Sequence, residues 1–391
     1  MAIAIIISIV LLGVYLDCKA YRRISKSTQN KFIGSAFLSM VAVSYMLILS
    51  TPLIVYFFTS EDNSALMMKV VMASLTTYLA LSLPRLLFYC IWLSSRNRIS
   101  LWTAIIMSSV LFLAFIYSVF VTRIDYKVNE VELYFENLPV EFDGYRMAFI
   151  SDIHAGTMIS PLEELSEIKG IIDKKDVDII LFGGDIINIH HSEIDESMIV
   201  VFSELKARDG VFMVFGNHDT GAYVKNSHKV QRRANMDTLQ AKMECAGWVV
   251  LRDSTVYIYR GDDSIAVTGI DYNDELLQYK HLMDALKGVD LSRIYNNVDK
   301  SVFNVTLSHL PQLWHSVYEG GFSDLTLSGH VHAMQMKIGD FSPAKFMYNE
   351  WSGLYEHGEN MLYINDGIGC VGYFARIGAR PEITVIQLHK K

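Results

Sequence analysis

Cysteine is scarce in this 391-residue chain: only Cys18, Cys90, Cys245 and Cys370, with no Cys-X-X-Cys pair. That excludes a disulfide framework and leaves a single Cys245–Cys370 pairing open. Basic charge is also short, 34 Lys and Arg against 42 Asp and Glu, for a formal net charge of −8. A nucleic-acid partner would need clustered Lys and Arg for the phosphate backbone, so none is expected. Acids are nearly missing from the front. Residues 1–122 hold 3 of the 42 acids and 9 of the 34 bases, a net of +6, which leaves −14 for residues 123–391. Internal repeats and low-complexity stretches are absent too. The charge split marks two parts with different solvents: a membrane module of about four helices over 1–122 and a soluble domain over 123–391.

Hydrophobic residues make up 51% of the chain and concentrate in apolar stretches at about 1–16, 32–58, 66–93 and 101–122. A helix crossing the hydrocarbon core needs ~20 such residues. No positive region precedes the first stretch and no small-residue cleavage site follows it, so it reads as a span and not as a signal peptide. Loop charge sets the orientation. The loop 17–31 carries Lys19, Arg22, Arg23, Lys26 and Lys31 against Asp17, and 94–100 carries Arg96 and Arg98. The loop 59–65 carries only Glu61 and Asp62. The first and third loops are therefore expected in the cytoplasm, and four crossings put both termini and the soluble domain outside it. Arg85, behind Pro84 in the third segment, reads as a side chain snorkelling from a kinked helix. Apart from Lys69 near one end it is the sole charge within the spans, too little for an ion pathway.

The second part alternates: strand 146–151, helix near 161–174, strand 178–182, helix near 193–207, strand 211–215. That is βαβαβ and predicts a parallel sheet. After a helix-prone stretch at 225–246, short β runs take over: WVVLRD, TVYIYR, SIAVTG, then 302–307, 325–328, 361–364 and EITVIQL. Two packed sheets with outer helices suit this better than one.

Five motifs sit where those strands break off: Asp152-Ile153-His154, Gly183-Gly184-Asp185, Gly216-Asn217-His218-Asp219, Ser308-His309 and Gly329-His330-Val331-His332. Strand ends are where an α/β fold places its active-site loops. Carboxylate oxygens and neutral imidazoles suit manganese, iron or zinc and argue against calcium. Two ions about 3.5–4 Å apart need a shared ligand, and Asp185, alone on a Gly-Gly turn mid-series, is the natural bridge. Asp152 with His154, and His330 with His332, are each two apart, so a tight turn can bring both members to the ions. The neighbouring glycines let the backbone come close. His190 and His191, just past the Gly-Gly-Asp turn, read as solvent-exposed loop residues.

Together these blocks resemble the calcineurin-like metallophosphoesterases, over roughly 138–391. Leu138-Pro139 with Asp143-Gly144, and Arg380-Pro381-Glu382-Ile383, resemble a membrane-attached bacterial subgroup of that family. The resemblance implies an α/β double-sheet sandwich flanked by helices, here preceded by an all-α transmembrane module in the inner membrane. It implies one ion on Asp152, His154, Asp185 and His332, and the other on Asp185, Asn217, His309 and His330. His218 would lie beside the substrate phosphate and Asp219 would hold its ring. Ala333-Met334-Gln335 stands where the subgroup usually has Gly-Gly-Gln, which adds side chains beside the pocket.

The expected function is that of a membrane-anchored phosphoester hydrolase, a phosphodiesterase or phosphatase. A hydroxide bridging the two ions would attack phosphorus in line, with His218 protonating the leaving oxygen. Tethering would suit a lipid or envelope-linked substrate. The competing reading is a non-enzymatic sensor or binding protein that reuses the fold. A broken ligand set would favour it, and here every ligand position is filled.

Overall fold

The structure is a computed structural model that describes residues 2–27, 31–58, 63–94, 97–224, 227–272 and 291–391. Glu61, Asp62 and Arg96 of the predicted loop-charge pattern lie outside these residues. The chain divides into two compact units. One comprises Met1–Thr59, Val70–Phe120 and Gly372–Ala375; the other comprises Ser60–Lys69, Val121–Val371 and Arg376–Lys391.

The helical unit is built on α1 (Ala2–Ser27), α2 (Lys31–Phe58), α3 (Ser64–Ser94) and α4 (Arg98–Phe120). By length and composition, three helices among the described residues could cross a membrane: Gly34–Phe58, Ser64–Leu93 and Arg98–Ile124. The first predicted crossing falls in the opening turns of α1, where the side chains of residues 1–10 lie outside the description. Asp17, Lys19, Arg22, Arg23 and Lys26, expected in a loop, belong to α1. Arg85 does not snorkel. It is buried, with Nε 3.3 Å from Asp17 Oδ1, and its Nη1 donates to Ser44 Oγ at 2.9 Å. Tyr45 and Tyr89 donate to the other faces of Asp17 at 2.9 and 2.6 Å. A guanidinium among apolar helices needs such a counter-charge, and burial of the pair overrides the reach to water. All four cysteines are free; Cys245 is exposed and Cys370 buried, so the open Cys245–Cys370 pairing is not made.

The second unit contributes β1 (Lys127–Phe135), β2 (Arg146–Ile150), α5 (Pro161–Ile172), β3 (Ile179–Phe182), α6 (Glu196–Glu204), β4 (Val211–Met213), α7 (Lys229–Cys245), β5 (Val249–Val250), β6 (Ser254–Arg260) and β7 (Asp263–Ile270). β8 (Phe303–Ser308), β9 (Leu325–Ser328), β10 (Gly353–His357), β11 (Asn360–Ile364) and β12 (Glu382–Lys390) complete it. One sheet runs β1-β12-β2-β3-β4-β5 and the other β10-β11-β9-β8-β7-β6. The predicted βαβαβ unit is present as parallel β2, β3 and β4 with crossovers through α5 and α6.

Strand periodicity makes the layers. Met147, Phe149, Ile179 and Leu181 face inward, where they join Val267, Val305, Leu307 and Leu327 of the other sheet in one core. Their neighbours Ala148, Ile150, Ile180 and Phe182 face outward onto Leu165 and Ile168 of α5, Phe202 of α6 and Leu239 and Met243 of α7. The fold is thus the α/β double-sheet sandwich flanked by helices. Because β2, β3, β4, β8 and β9 each lie parallel to a sheet neighbour, their carboxyl ends release loops at the edge of the sandwich.

Candidate metal centre

Asp152 and His154 follow β2, Asp185 follows β3, Asn217 to Asp219 follow β4, His309 follows β8, and His330 and His332 follow β9. The structure brings all of these loops together. His332 Nε2 lies 3.1 Å from Asp152 Oδ1 and 3.2 Å from His154 Nε2. His309 Nε2 lies 3.1 Å from Asp185 Oδ2 and 3.0 Å from Asn217 Oδ1. Asp185 Oδ2 is also 3.9 Å from His154 Nε2, which links the two groups.

The backbone bends hard to achieve this. Asp152, His154, Asp185, His330 and His332 all have positive φ, between 48° and 75°. Each left-handed L-residue costs roughly 1–2 kcal/mol, and such strain concentrates at functional sites. Gly184 has φ +95°, and a Cβ there would meet Gly216 N at 2.7 Å and His309 Nδ1 at 2.9 Å. The turn therefore needs glycine both for conformation and for space.

Among the described residues, three side-chain groups have ligand atoms within 4.8 Å of one another: Asp152, His154 and His332; Asp185, His309 and His330; and His154, Asp185 and His218. Ligands about 2.0–2.2 Å from one ion lie at most about 4.4 Å apart, close to the spread of these groups. The donors are carboxylate oxygens, an amide oxygen and imidazole nitrogens, so the residues fit borderline divalent cations. His309 Nδ1 donates to Gly183 O at 2.8 Å, which turns its Nε2 toward the cluster.

Electrostatics act in two directions here: the carboxylates stay charged, while His309 must lose a proton before it can ligate a cation. Burial works against the Asp152 charge, yet His332 and His309 hold its carboxyl well below the usual range. Asp185 is likewise held low, against burial, by His309 and His218. Burial would depress His309, but the Asp185 charge lifts its imidazole to about 9. His330, desolvated and beside His309, is pushed down to about 3 and is a neutral nitrogen donor at physiological pH.

Asp219 departs from expectation. Its carboxylate does not hold the His218 ring. Oδ2 accepts from the backbone N–H of Asp185 and Gly216, each at 2.8 Å. Oδ1 accepts from Ile186 and Ile187 at 2.9 and 3.1 Å. Asp219 thus staples the Gly-Gly-Asp turn to the Gly-Asn-His-Asp turn. Burial and the nearby Asp185 charge push its carboxyl up to about 8, while these N–H donors pull it down. The ring of His218 is set by Asn188 O instead, which accepts from Nδ1 at 2.6 Å. Its backbone N–H donates to Asp185 Oδ1 at 2.8 Å.

Other participants carry no sequence signal of their own. Tyr223 stacks on His218 with centroids 4.3 Å apart, and its hydroxyl accepts from Asn217 Nδ2 at 2.9 Å. That fixes Asn217 Oδ1 toward His309. Glu193 accepts from the backbone N–H of Asn188, Ile189 and His190, holding the loop that carries Asn188. Arg376, fully buried, lies with Nη2 3.4 Å from His332 Nδ1. His190 and His191 are half-buried, with centroids 4.1 Å apart, not exposed as expected; packing against the α7 side of the loop covers them. Burial and neighbouring His190 lower His191 to about 4.

Residues 145–334 match the family model for the calcineurin-like phosphoesterases. The chain is 28% identical over 262 residues to the uncharacterized metallophosphoesterase YkuE of Bacillus subtilis (strain 168), covering 64% of this chain and 81% of that protein. It is 27% identical over 268 residues to a transmembrane protein with metallophosphoesterase domain of Danio rerio, covering 67% of this chain but only 57% of that protein. It is 24% identical over 290 residues to the UDP-2,3-diacylglucosamine pyrophosphatase LpxG of Chlamydia muridarum (strain MoPn / Nigg), covering 64% of this chain and 86% of that protein.

Proposed function

Since this chain carries a calcineurin-like phosphoesterase domain and is a phosphoesterase, we propose that it is a membrane-anchored, two-metal hydrolase of phosphoesters, with a transmembrane module at 1–122 and the catalytic domain at 123–391. The observation that carries this reading is the meeting of Asp152, His154, Asp185, His309, His330 and His332 in groups of cation size, with Asn217 Oδ1 3.0 Å from His309 Nε2. One divalent ion would be held by Asp152, His154, Asp185 and His332, and the other by Asp185, Asn217, His309 and His330. Manganese, iron and zinc all suit these donors.

When bound, the two ions would acidify a water and neutralise charge on the phosphoryl group. The chain's own part is positional. His309 lies at hydrogen-bond distance from both Asp185 and Asn217, and donors held in place in this way need little reorganisation. Asn188 O fixes Nδ1 of His218, and so leaves Nε2 to face the phosphate; burial lowers the pKa of this ring, so it must first take up a proton before Nε2 can pass one to the leaving oxygen.

The basic residues Lys19, Arg22, Arg23 and Lys26 ahead of α2, and Lys31 at its start, favour the cytoplasmic side for that stretch, and three crossings by α2 to α4 would then put the catalytic domain outside the cytoplasm whether or not α1 crosses. The spans and the likeness to a UDP-2,3-diacylglucosamine pyrophosphatase and a transmembrane relative favour a lipid-linked phosphoester or diphosphate as substrate. The test is turnover of bis-p-nitrophenyl phosphate by the detergent-purified full chain, with metal content counted in parallel. His218→Ala should retain its metals and lose ~10²–10⁴ of the rate. Full activity in that variant would remove His218 from the reaction, and silence of the parent across metals and phosphoesters would leave a binding role.

A further inference from the structure

The segment between the last metal-type histidine and Tyr348 exposes an unusual run of large apolar side chains. Met334 is 39% exposed, Ile338 66%, Phe341 41%, Phe346 76% and Met347 60%. The backbone that presents them is pinned. Ile338 and Phe341 exchange N–H···O bonds at 2.9 and 3.1 Å, Lys337 N donates to Ile377 O at 2.9 Å, and Ser342 Oγ donates to Ala333 O at 2.7 Å. These side chains therefore stand out from the surface on a fixed frame. Ala333, Met334 and Gln335 take φ of 47°, 49° and 56° in succession. Glycine would adopt that backbone without strain; L-residues pay for it, and strain of this kind persists where presentation of a side chain matters.

Contiguous exposed apolar surface marks an interaction site. The chemistry here is aromatic and aliphatic at the tip with a cation beside it: Lys345 Nζ lies 4.9 Å from the Phe341 ring centroid and 5.6 Å from that of Phe346. Apolar tips with a lysine able to snorkel suit the headgroup–acyl boundary of a bilayer. A bilayer is at hand, because three helices among the described residues are long and apolar enough to cross one. Both ends of the segment abut the metal centre. Met334 follows His332 by two residues, and the Tyr348 ring lies 6.3 Å from that of His330.

We propose that residues 334–347 are a membrane-docking rim, seated in the lipid surface, which delivers a phosphoester borne by a membrane lipid to the metal centre. The delivery half rests on the phosphoesterase reading; the docking half does not. The test uses the full chain in nanodiscs of mixed phosphatidylcholine and phosphatidylglycerol. In Phe346→Trp, acyl-brominated lipids should quench the added tryptophan beyond the quenching seen in the parent. An added tryptophan with no extra quenching overturns the docking. In the combined variant Ile338→Ser, Phe346→Ser and Met347→Ser, turnover of a lipid-borne p-nitrophenyl phosphodiester should fall about tenfold, as misplacement of a substrate does, while soluble bis-p-nitrophenyl phosphate turns over as before. Equal loss on both substrates, or loss of a protein–protein complex instead, overturns delivery. Lys345→Glu should weaken the response to phosphatidylglycerol about fivefold. If the parent cleaves no phosphoester, the earlier reading fails and quenching still decides the docking.

Discussion

Asp219 offers the sharpest test of how this site is built. The family resemblance assigns it to the His218 ring, and the structure assigns it to four backbone N–H groups at 2.8–3.1 Å. Asp219→Asn keeps the shape and replaces one oxygen with an NH2 group. Whichever oxygen is lost, two N–H donors then face a donor. A buried donor left unsatisfied costs about 1–3 kcal/mol, so the two together amount to roughly 2–6 kcal/mol. That is a substantial part of an ordinary folding stability of about 5–15 kcal/mol. At about 2–4 °C per kcal/mol for a domain near this size, the apparent Tm should fall by roughly 4–24 °C. Metal content should fall with it, because Asp185 and Asn217 sit on the two turns that Asp219 joins. The assay is thermal unfolding of the detergent-purified full chain, with metals counted by mass spectrometry. The outcome that refutes the reasoning is an Asp219→Asn protein with unchanged Tm and full metal content that has lost only turnover. That pattern would return Asp219 to the role of orienting His218.

Other consequences are open to measurement. Gly184→Ala drives a Cβ to 2.7 Å from Gly216 N and should abolish metal binding with a loss of several kcal/mol; a variant with normal metal stoichiometry would show that the turn has room. Tyr223→Phe removes the acceptor of Asn217 Nδ2 and should weaken metal affinity about 10–100-fold with stability retained. In an Asn217→Asp background, where both ligand atoms are oxygens, the same change should have little effect on affinity, and an equal loss there would argue against amide orientation. The lowered His191 pKa, about 4 when folded against about 6.5 unfolded, means that the unfolded chain binds the proton more readily. Its contribution is fully present above about pH 6.5 and is lost as pH falls toward 4. His191→Gln should flatten the acid side of the stability profile in urea titrations, and an unchanged slope would contradict the shift.

Much of this molecule could be read from its covalent order. Strand periodicity in RMAFIS, DIILF and VFMVF sends alternate residues to opposite faces, so the layers and the position of each motif at a strand end follow from local pattern. The metal-type residues are also local: Asp152 with His154, Asn217 with His218 and His330 with His332 are close in the chain, and five such blocks in one order are specific. Charge asymmetry separated the two parts for the same reason, since composition follows the solvent each part meets.

What composition and spacing could not decide is which partner a buried polar group finds across the fold. Asp219 lies next to His218 in sequence, but in space its oxygens meet four N–H groups from two turns. Asn188 and Tyr223 look ordinary until the loops meet, because a backbone carbonyl and a tyrosine hydroxyl leave no chemical signature in the chain. Arg85 looks unpaired until α1 brings Asp17 beside it. The left-handed turns at Asp152, His154, Asp185, His330 and His332 belong here too, since tertiary contacts alone hold L-residues in a conformation their own sterics disfavour. Local pattern thus determined the elements and the inventory of candidate ligands, and long-range packing decided their partners, because a desolvated charge or donor must be satisfied by whatever group the closed structure brings within about 3 Å.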